Sequence, residues 1–440
     1  MFENIIFIIP GMLVGVFAGF MPGIGIFASM MLLLPFLHDL TALQLLTFYV
    51  ALASTTQYIG SITATVFGLP GEASSLPAVR EGHQMYKQGR GSYAISGAAI
   101  GSFLGGFLML LIVSAFLPLL DGIYKIYSTR VMATILITVT LVMCFTAKKI
   151  WLAVLFAIAG YLLGLIGCRY IDDYCFATFG NADITTGLPL ISVICAIYIF
   201  PNLIKGKHKF HKNQKIEINF VVFDHLKKFM HNSTSAIRGT FIGFFAGFTP
   251  GLSTAISSNL AYTIEKWWQT RKRKYKLGNY RCLVSAETAN NAGAFSCLLP
   301  LFVFGIPLVP SEALLYELAS VKGFILGQDF TAEFFLKNLT PVLFITNLVA
   351  IFLAWPLAKY ICVMHKIPTV LFRSIIFVLM MSSIYFSGVN SFQGGYHIIV
   401  FLCLLPVGYL LRDHDTLPLI FVYIIQDRLD VIAISMMDLL

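Results

Sequence analysis

Long apolar runs, separated by short polar stretches, recur along the whole chain. A 16-residue run occupies 396–411, and runs of 18 or more residues occupy 95–118, 129–147, 150–167, 186–204, 339–358 and 367–386. Each is long enough to cross the roughly 30 Å hydrocarbon core of a bilayer as a helix. The pattern predicts an all-α polytopic membrane protein, surrounded by the lipid bilayer, with about 10–12 membrane segments.

Composition and charge agree with this class. Of the 440 residues, 58% are hydrophobic and 12% are charged, and the mean hydropathy is +0.82. A soluble domain carries about 25% charged residues. The net charge of +9 comes from basic residues in short loops between apolar runs, as the positive-inside rule describes. Because no nucleic-acid-binding fold surrounds these basic patches, we expect no nucleic-acid partner.

One glycine-rich phrase occurs twice. GMLVGVFAGFMPG (11–23) and GTFIGFFAGFTPG (239–251) are identical at eight of thirteen positions without a gap, and FGLP (67–70) and FGIP (304–307) form a weaker echo. The stretch between the copies, 204–232, is the most polar in the chain. Internal repeats are the usual architecture of secondary transporters. We therefore predict a first transmembrane repeat at 1–204, a basic cytoplasmic linker at 205–232 and a second transmembrane repeat at 233–440.

The charges that flank each copy predict how it enters the membrane. Seven Lys lie between 205 and 228 and seven Lys or Arg between 265 and 281, so both flanks of the second copy are predicted to be cytoplasmic. The first copy has no Lys or Arg before it and none after it until Arg80, so both its flanks are predicted to be external. The Pro-Gly step can break each helix, because Pro lacks an N–H and Gly tolerates a turn.

Two interpretations of the repeated phrase follow from this. In one, the copies are re-entrant or broken helices that form two inverted repeats, with the Pro-Gly tips meeting near the midplane. In the other, each copy is one kinked helix whose small residues serve helix packing. The repetition and the flanking charges favour the first.

A helix broken in mid-membrane exposes free backbone groups at the break. Its N–H end attracts anions, and its C=O end can coordinate a cation such as Na⁺. The candidate binding residues at the two breaks are Pro22, Gly23, Gly25, Pro250, Gly251, Ser253 and Thr254. We also expect a Na⁺ site near Gly23, Gly251 and Asn291.

Two further stretches place polar side chains in apolar surroundings. In GSITATVFGLPGEASSLP (60–77) the candidates are Ser61, Thr63, Ser74 and Ser75. In SAETANNAGAF (285–295), Glu287, Asn290 and Asn291 share one face at helical spacing. A carboxylate and two amides are costly there unless they bind something or each other. They predict a face that lines a substrate or ion site; the alternative is hydrogen bonding between helices plus an interfacial glutamate. The loop from Arg80 to Arg90 is a secondary candidate.

Signatures of enzymes and metal cofactors are missing from the sequence. It contains no GxSxG, HExxH or Walker pattern, and its eight cysteines show no CxxC pair or metal-ligand spacing. We expect no enzymatic activity, no cofactor, no metal beyond a coupling ion and no disulfide framework. The one pair for which a disulfide bridge stays open is Cys168 and Cys175, which flank RYIDDY on a predicted external loop.

The ordered motifs resemble a known family, the large membrane subunit of the tripartite tricarboxylate transporters. The resemblance rests on GVFAGFMPGIG followed by MMLLLPF, on GSIT, Pro-Gly and KQGRG between 60 and 91, on FATFG (176–180), on RGTFIGFFAGFTPGLST (238–254), and on AETANNAGA, LLPLFVFGIP and GYLLR. The chain departs from the family pattern after GIP, where many members have Gly-Ser and this chain has Leu308-Val309-Pro310-Ser311-Glu312.

The resemblance implies a multi-pass, cation-driven importer of di- and tricarboxylates in the bacterial inner membrane. Its expected partners are the carboxylate substrate, a small membrane subunit and a periplasmic substrate-binding protein, and its coupling ion is Na⁺ or H⁺. Two other classes stay open from the residues: an uncoupled carboxylate channel built from the same hairpins, and a non-transporting membrane scaffold.

Overall fold

The structure, a computed structural model, is almost entirely helical in the residues it describes: 5–21, 25–68, 72–120, 129–147, 149–168, 175–178, 184–205, 222–327, 329–364, 369–388 and 391–426. The α-helices up to residue 205 are α1 (Ile8–Phe20), α2 (Ile26–Leu32), α3 (Leu34–Leu37), α4 (Ala42–Phe67), α5 (His83–Met85), α6 (Gly91–Leu120), α7 (Thr129–Thr146), α8 (Ile150–Gly164), α9 (Leu190–Ile194) and α10 (Phe200–Lys205).

The second half continues in the same way. Its α-helices are α11 (Val222–His231), α12 (Ser233–Ala246), α13 (Ser253–Arg271), α14 (Tyr280–Phe304), α15 (Pro310–Val321), α16 (Ala332–Phe334), α17 (Thr340–Met364), α18 (Thr369–Phe386), α19 (Ser391–Leu411) and α20 (Leu417–Gln426). Short 3₁₀ or π-helical turns lie at Ala73–Ser75, Ala78–Gly82, Tyr86–Arg90, Ile184–Thr186, Cys195–Ile199 and Phe335–Leu339. Strands β1 (Gly167–Cys168) and β2 (Cys175–Phe176) form a short antiparallel hairpin.

Several of these helices suit a bilayer. Three helical stretches of the described chain are long and apolar enough to span a membrane by length and composition: Ala73–Leu117, Ala332–Ile361 and Gln393–Leu411. Large apolar side chains project outward, among them Leu13, Phe245 and Leu410, which are 66%, 70% and 76% exposed. Such a surface is stable in lipid rather than in water. The chain is therefore a multi-pass membrane protein, and the total of 10–12 segments stays a prediction.

The first copy of the phrase forms a broken helix. Helix α1 ends at Phe20 and α2 begins at Ile26. The contacts between α1 and α4 advance in the same direction along both helices: Gly11 lies against Phe48, Gly15 against Leu52 and Gly19 against Thr56. Since α1 and α4 run parallel, the segment α2–α3 between them must return to the side from which α1 entered. This is the predicted re-entrant hairpin.

The second copy repeats this geometry. Helix α12 ends at Ala246 and α13 begins at Ser253. Helix α12 runs parallel to α14: Gly239 lies against Ser285, Gly243 against Ala289 and Gly247 against Gly293. The three glycines correspond one for one to those of the first copy, and α13 is the returning arm. The small residues thus serve close helix packing within a broken hairpin, so parts of both sequence interpretations hold.

Helices α4 and α14 run in opposite directions. Near the start of α4, the Tyr49 hydroxyl lies 3.2 Å from Ser311 Oγ, just beyond the end of α14. Near the end of α4, Ala64 shares a buried cluster with Leu283, near the start of α14. The two hairpins therefore point into the protein from opposite ends. An inverted relation between the complete units 1–204 and 233–440 stays a prediction, as do these boundaries.

The FGLP and FGIP echo marks the ends of these two helices. Gly68 and Gly305 each follow the last helical residue in the left-handed conformation, with φ of 68° and 63°. Glycine tolerates this conformation because it has no Cβ. At Gly305 an added Cβ would also collide with the Leu326 carbonyl oxygen. The motif is therefore a helix-termination signal used once in each half.

The loop from Arg80 to Arg90 meets the basic stretch 265–281, which is predicted to be cytoplasmic, at Glu81. Its buried carboxylate accepts hydrogen bonds from the backbone N–H groups of Gly278 and Asn279, both at 2.7 Å, and from the hydroxyls of Tyr262 (3.1 Å) and Tyr275 (2.8 Å). Burial, and then the neighbouring Glu81 carboxylate, raise the pKa of Tyr275. Its hydroxyl therefore stays protonated and remains a donor at neutral pH. The contact joins the Arg80–Arg90 loop to 272–280, which places both on one side.

The expectation of no disulfide is wrong for one pair. Cys168 and Cys175 form a disulfide between strands β1 and β2, seven residues apart. The antiparallel register sets the two residues opposite each other, and cysteines held so close in an oxidising compartment form a bond. A count of spacings could not predict this, because the strand pairing that aligns the cysteines is a tertiary feature.

Thiol labelling checks this bond and the side on which it lies. In intact cells or right-side-out vesicles, a membrane-impermeant maleimide is expected to label Cys168 and Cys175 only after reduction, because before reduction neither has a free thiol. Exposed Cys403 is first replaced by serine so that it does not contribute. Equal labelling before and after reduction would contradict the bond, and labelling only after permeabilisation would contradict the external placement.

Candidate functional site

A cavity of about 380 Å³ lies where the two broken hairpins meet. This volume falls within the range of roughly 300–1,000 Å³ that small-molecule sites occupy. The first hairpin contributes the start of α2, and the second contributes Gly251 and the start of α13. The walls come from α4, α14, the turn at Ala73–Ser75 and the start of α15. The cavity thus draws on both halves of the chain.

Six of the residues predicted from the sequence line this cavity. They are Gly25, Ser74, Gly251, Ser253, Thr254 and Asn291. They come from four separate stretches of the chain, and the fold brings them to one place. Whether they bind a ligand stays a prediction.

The other predicted residues lie elsewhere. Ser61, Thr63, Ser75, Pro250, Glu287 and Asn290 are buried but do not line the cavity. Ser61 donates to the Tyr58 carbonyl at 3.0 Å, a bond within its own helix. Pro22 and Gly23 lie outside the described residues, as does the Pro-Gly step at 70–71, so nothing tests the part of the expected Na⁺ site that rests on Gly23.

The tip of the second hairpin is held by its backbone. Gly251 has φ of 84°, a conformation that favours glycine. Its N–H donates to the Leu308 carbonyl at 2.8 Å, which joins the hairpin to the segment after α14. A side chain at this position would also meet Met143. The sequence requires glycine here, and the fold uses it to fix one wall of the cavity.

The starts of two helices border the cavity. Residues Ser253 to Ala255, the first turn of the 19-residue helix α13, line the cavity, and no side chain caps this helix. The start of α15 also lines it, from Val309 to Glu312. Unpaired N–H groups at a helix start carry about half a positive charge and attract anions. Ser253 itself donates to Cys297 Sγ at 3.1 Å.

Two carboxylates that the sequence argument did not select also reach the cavity. Glu312 is 1% exposed and accepts a hydrogen bond from the Leu308 N–H at 2.8 Å. Glu72 lies against Gly25, so closely that a Cβ on Gly25 would collide with its Oε1. The sequence pattern that could have identified both carboxylates is an acidic residue two positions after a proline. Glu72 follows Pro70-Gly71, and Glu312 follows Pro310.

Neutral polar groups complete the lining. Gln57, Ser54 and Tyr49 reach the cavity from α4, Asn291 from α14 and Ser311 from α15. The Tyr49 hydroxyl lies 3.2 Å from Ser311 Oγ. Among the described lining residues there is no Lys, Arg or His. The cavity can therefore offer hydrogen bonds, helix starts and two carboxylates to a ligand, but no basic side chain.

Comparisons with known proteins agree with the motifs. The model of the "Tripartite tricarboxylate transporter TctA family" matches residues 5–422. The chain is 29% identical over 380 residues to an uncharacterised 52.8 kDa protein in the TAR-I ttuC′ 3′ region of Agrobacterium vitis, covering 83% of this chain and 74% of that protein. It is 25% identical over 421 residues to an uncharacterised protein of Methanocaldococcus jannaschii, covering 94% of each. No solved structure matches the chain.

Proposed function

Because the chain belongs to the tripartite tricarboxylate transporter TctA family, we propose that it imports di- or tricarboxylates across the bacterial inner membrane, driven by Na⁺ or H⁺. It acts as the large membrane subunit, together with a small membrane subunit and a periplasmic substrate-binding protein. The observation that carries this proposal is the cavity between the two hairpin breaks. It combines an uncapped helix start with neutral hydrogen-bonding side chains.

The lining supports recognition of an anion by dipoles rather than by ion pairs. The N–H groups at the start of α13 point positive charge at the cavity, and the hydroxyls of Ser253 and Thr254 lie in the same turn. Asn291 offers an amide donor from the neighbouring helix. A carboxylate held in this way keeps only part of the stabilisation that water gives it, because burying a charge without a counter-charge is expensive.

This incomplete stabilisation of a bound carboxylate supports coupling of its transport to the entry of cations. Glu72 and Glu312 already bring carboxylates to the cavity, and the described lining has no basic side chain to balance them. A substrate with two or three negative charges adds to the excess. Protons or Na⁺ that enter with the substrate neutralise this charge, so binding of the anion favours binding of the cation and the reverse. An uncoupled channel for carboxylates would lack this mutual dependence.

The hairpins supply a route to alternating access. Broken helices that meet near mid-membrane are the sites at which secondary transporters bind both substrate and ion, and one part of the protein then moves relative to the other. Release toward the cytoplasm would separate the loops that Glu81 joins. The bonds of Glu81 to Gly278 and Asn279 therefore stabilise the state in which that end is closed.

Uptake of radiolabelled citrate and succinate into proteoliposomes tests the proposal. With an inward Na⁺ or H⁺ gradient, the full chain is expected to accumulate substrate, and Asn291→Ala is expected to reduce uptake at least tenfold, the effect of losing about 1.4 kcal/mol of transition-state or binding free energy. Asn338→Ala is the matched control. Asn338 lies in the π-helical turn Phe335–Leu339, away from the cavity, and donates to the Phe334 carbonyl.

The outcomes separate the alternatives. Gradient-driven uptake that is lost in Asn291→Ala and kept in Asn338→Ala supports a coupled carrier with its site in the cavity. Uptake that ignores both gradients indicates a passive pore. Absence of uptake with the partner subunits present, together with absence of carboxylate binding, indicates a scaffold.

A further inference from the structure

A pair of buried polar side chains lies behind the cavity wall. Glu287 and Asn290, on α14, are both 0% exposed. Both carboxylate oxygens of Glu287 and both amide atoms of Asn290 are buried without a hydrogen-bond partner in the part of the chain that the structure describes. The Asn290 side chain is nonetheless adjacent to the carboxylate, as three-residue spacing on a helix requires.

We propose that Glu287 and Asn290 form the binding site of a coupling cation, a monovalent ion of the size of Na⁺, separate from the carboxylate cavity. This inference rests on the proposed function and names the ion and its location. Nothing in the described part of the chain hydrogen-bonds the carboxylate of Glu287 or the amide of Asn290. Buried carboxylates are stable only when they are paired, protonated or bound to a cation, and in membrane helices such groups mark ion pathways.

No described basic group balances Glu287. The ion pairs of the described residues involve Glu265 and Asp413, and none reaches Glu287. The single negative charge therefore matches one monovalent cation. A divalent metal is less suited, because no group of three or more His, Cys, Asp or Glu residues occurs together in the described chain. Carboxylate and amide oxygens are hard ligands that suit cations of this class.

The neighbouring helix offers a further oxygen. Along α13, Ser257 packs against Gly293 of α14, and Tyr262 shares a buried cluster with Ala286. The helical turn between Ser257 and Tyr262 carries Ser258. It therefore faces the stretch of α14 that holds Glu287 and Asn290. The Ser258 hydroxyl is also fully buried and has no hydrogen-bond partner among the residues that the structure describes. Glu287, Asn290 and Ser258 thus have no hydrogen-bond partner among the described residues and lie on two packed helices, and each can offer an oxygen to a cation.

The site connects to the cavity through Asn291. This residue lines the cavity, and its Nδ2 donates to the Glu287 backbone carbonyl at 3.3 Å. A cation bound at Glu287 would lie one helical turn behind the cavity wall and attract the anionic substrate. Binding of the ion and binding of the substrate would then favour each other, as coupled transport requires.

Thermal unfolding of the purified full chain tests the site without transport. NaCl is compared with choline chloride at equal ionic strength, so that screening is constant. The wild type is expected to unfold at a higher temperature in Na⁺; at a Na⁺ concentration about 100-fold above Kd, the folded state is favoured about a hundredfold. Glu287→Gln is expected to lose this response. In choline it should be at least as stable as the wild type, because an unpaired buried charge has been removed.

Two further variants complete the design. Asn290→Ala keeps the carboxylate and removes an oxygen ligand, and it is expected to raise the Na⁺ concentration needed for half of the shift about tenfold or more. Glu333→Gln is the matched control: Glu333 is exposed, at the start of α16, and its variant should keep the full Na⁺ response. Direct binding of ²²Na⁺ to all four proteins should follow the same order.

Specific results would overturn the site. One is a wild type whose unfolding temperature does not rise in Na⁺. The other is a Na⁺-dependent rise that is kept in both Glu287→Gln and Asn290→Ala. Carboxylate uptake driven only by a pH gradient, with no Na⁺ binding, overturns the sodium site and leaves the transport function standing. Na⁺ binding that is lost in Glu287→Gln, in a protein that transports no carboxylate, supports the site and overturns the function.

Discussion

Ala294→Trp is expected to reduce carboxylate uptake to a tenth or less of the wild-type rate while the protein stays folded. Ala294 lines the cavity from α14, between Asn291 and the end of the helix, and is half-buried because it faces open space. An indole placed there buries about 150–250 Å² of its own surface. It would occupy much of a cavity of about 380 Å³. Substrate and side chain would then compete for the same volume.

The measurement is gradient-driven citrate and succinate uptake, together with the thermal unfolding midpoint. Leu111→Trp is the control, because Leu111 projects outward from α6 and is 51% exposed, so its indole meets lipid and not the cavity. If Ala294→Trp transports at the rate of Leu111→Trp, the substrate path does not pass through this cavity. A loss of uptake with an unchanged midpoint locates the effect in the site rather than in the fold.

Gly243→Leu is expected to destabilise the protein strongly. At Gly243 the backbones of α12 and α14 touch: an added Cβ would meet the Ala289 carbonyl oxygen at 2.5 Å and the Ala289 Cα at 2.8 Å. Because these are backbone atoms, no side chain can rotate away, and the two helices must separate. Overpacking of this kind costs about 1–3 kcal/mol or more. The hairpin would also lose the contact that sets its position.

The unfolding midpoint and the yield of monodisperse protein in detergent check this effect. Gly395→Leu, on α19, is the matched control, since an added Cβ there meets nothing within 4 Å. That variant should be neutral or slightly stabilising, because leucine favours a helix more than glycine does by roughly 0.5–1 kcal/mol. Gly15→Leu in the first copy should resemble Gly243→Leu, as Gly15 lies against Leu52 and Thr55. Equal stability of the Gly243 and Gly395 variants would show that the hairpin contact is not required.

These two substitutions affect different properties of one architecture. Gly243 holds an arm of the second hairpin against α14, and Ala294 lies on the same helix where it borders the cavity. Helix α14 also carries Glu287 and Asn290 on its buried side. One helix therefore packs the hairpin, lines the substrate cavity and holds the proposed ion site. Movement of this helix relative to the hairpin would change both binding sites together.

Several features of the site could be predicted from the residues, because they depend on local chemistry. The Pro-Gly steps predict breaks in the helices, and the helices do end at Phe20 and Ala246 and resume at Ile26 and Ser253. The glycine spacing predicts close packing, and the glycines before the two Pro-Gly steps, at 11, 15, 19, 239, 243 and 247, each lie against a backbone or a small side chain. The amide at Asn291 is polar in an apolar run, and it lines the cavity.

Other residues predicted from the sequence lie away from the cavity, and two cavity residues were not predicted, for a common reason. Ser61 and Thr63 occur in a hydroxyl-rich stretch, yet both lie beyond the part of α4 that lines the cavity, which ends at Gln57, and Ser61 bonds within its own helix. Glu72 and Glu312 were not selected, although both line the cavity. Polarity in a sequence does not reveal which face of a helix borders open space, because that depends on helices far away in the chain.

By itself, then, the sequence determined that this is a helical membrane protein with a phrase that breaks a helix once in each half. Hydropathy and the conformational limits of Pro and Gly act over a few residues, so they can be read without a fold. Only the tertiary structure decided that the breaks meet at one cavity, that Tyr49 reaches Ser311 across 262 positions, and that Cys168 bonds to Cys175. It also left Glu287 buried with no hydrogen-bond partner in the described part of the chain. These features depend on how separate helices and strands pack, and packing is a property of the whole chain.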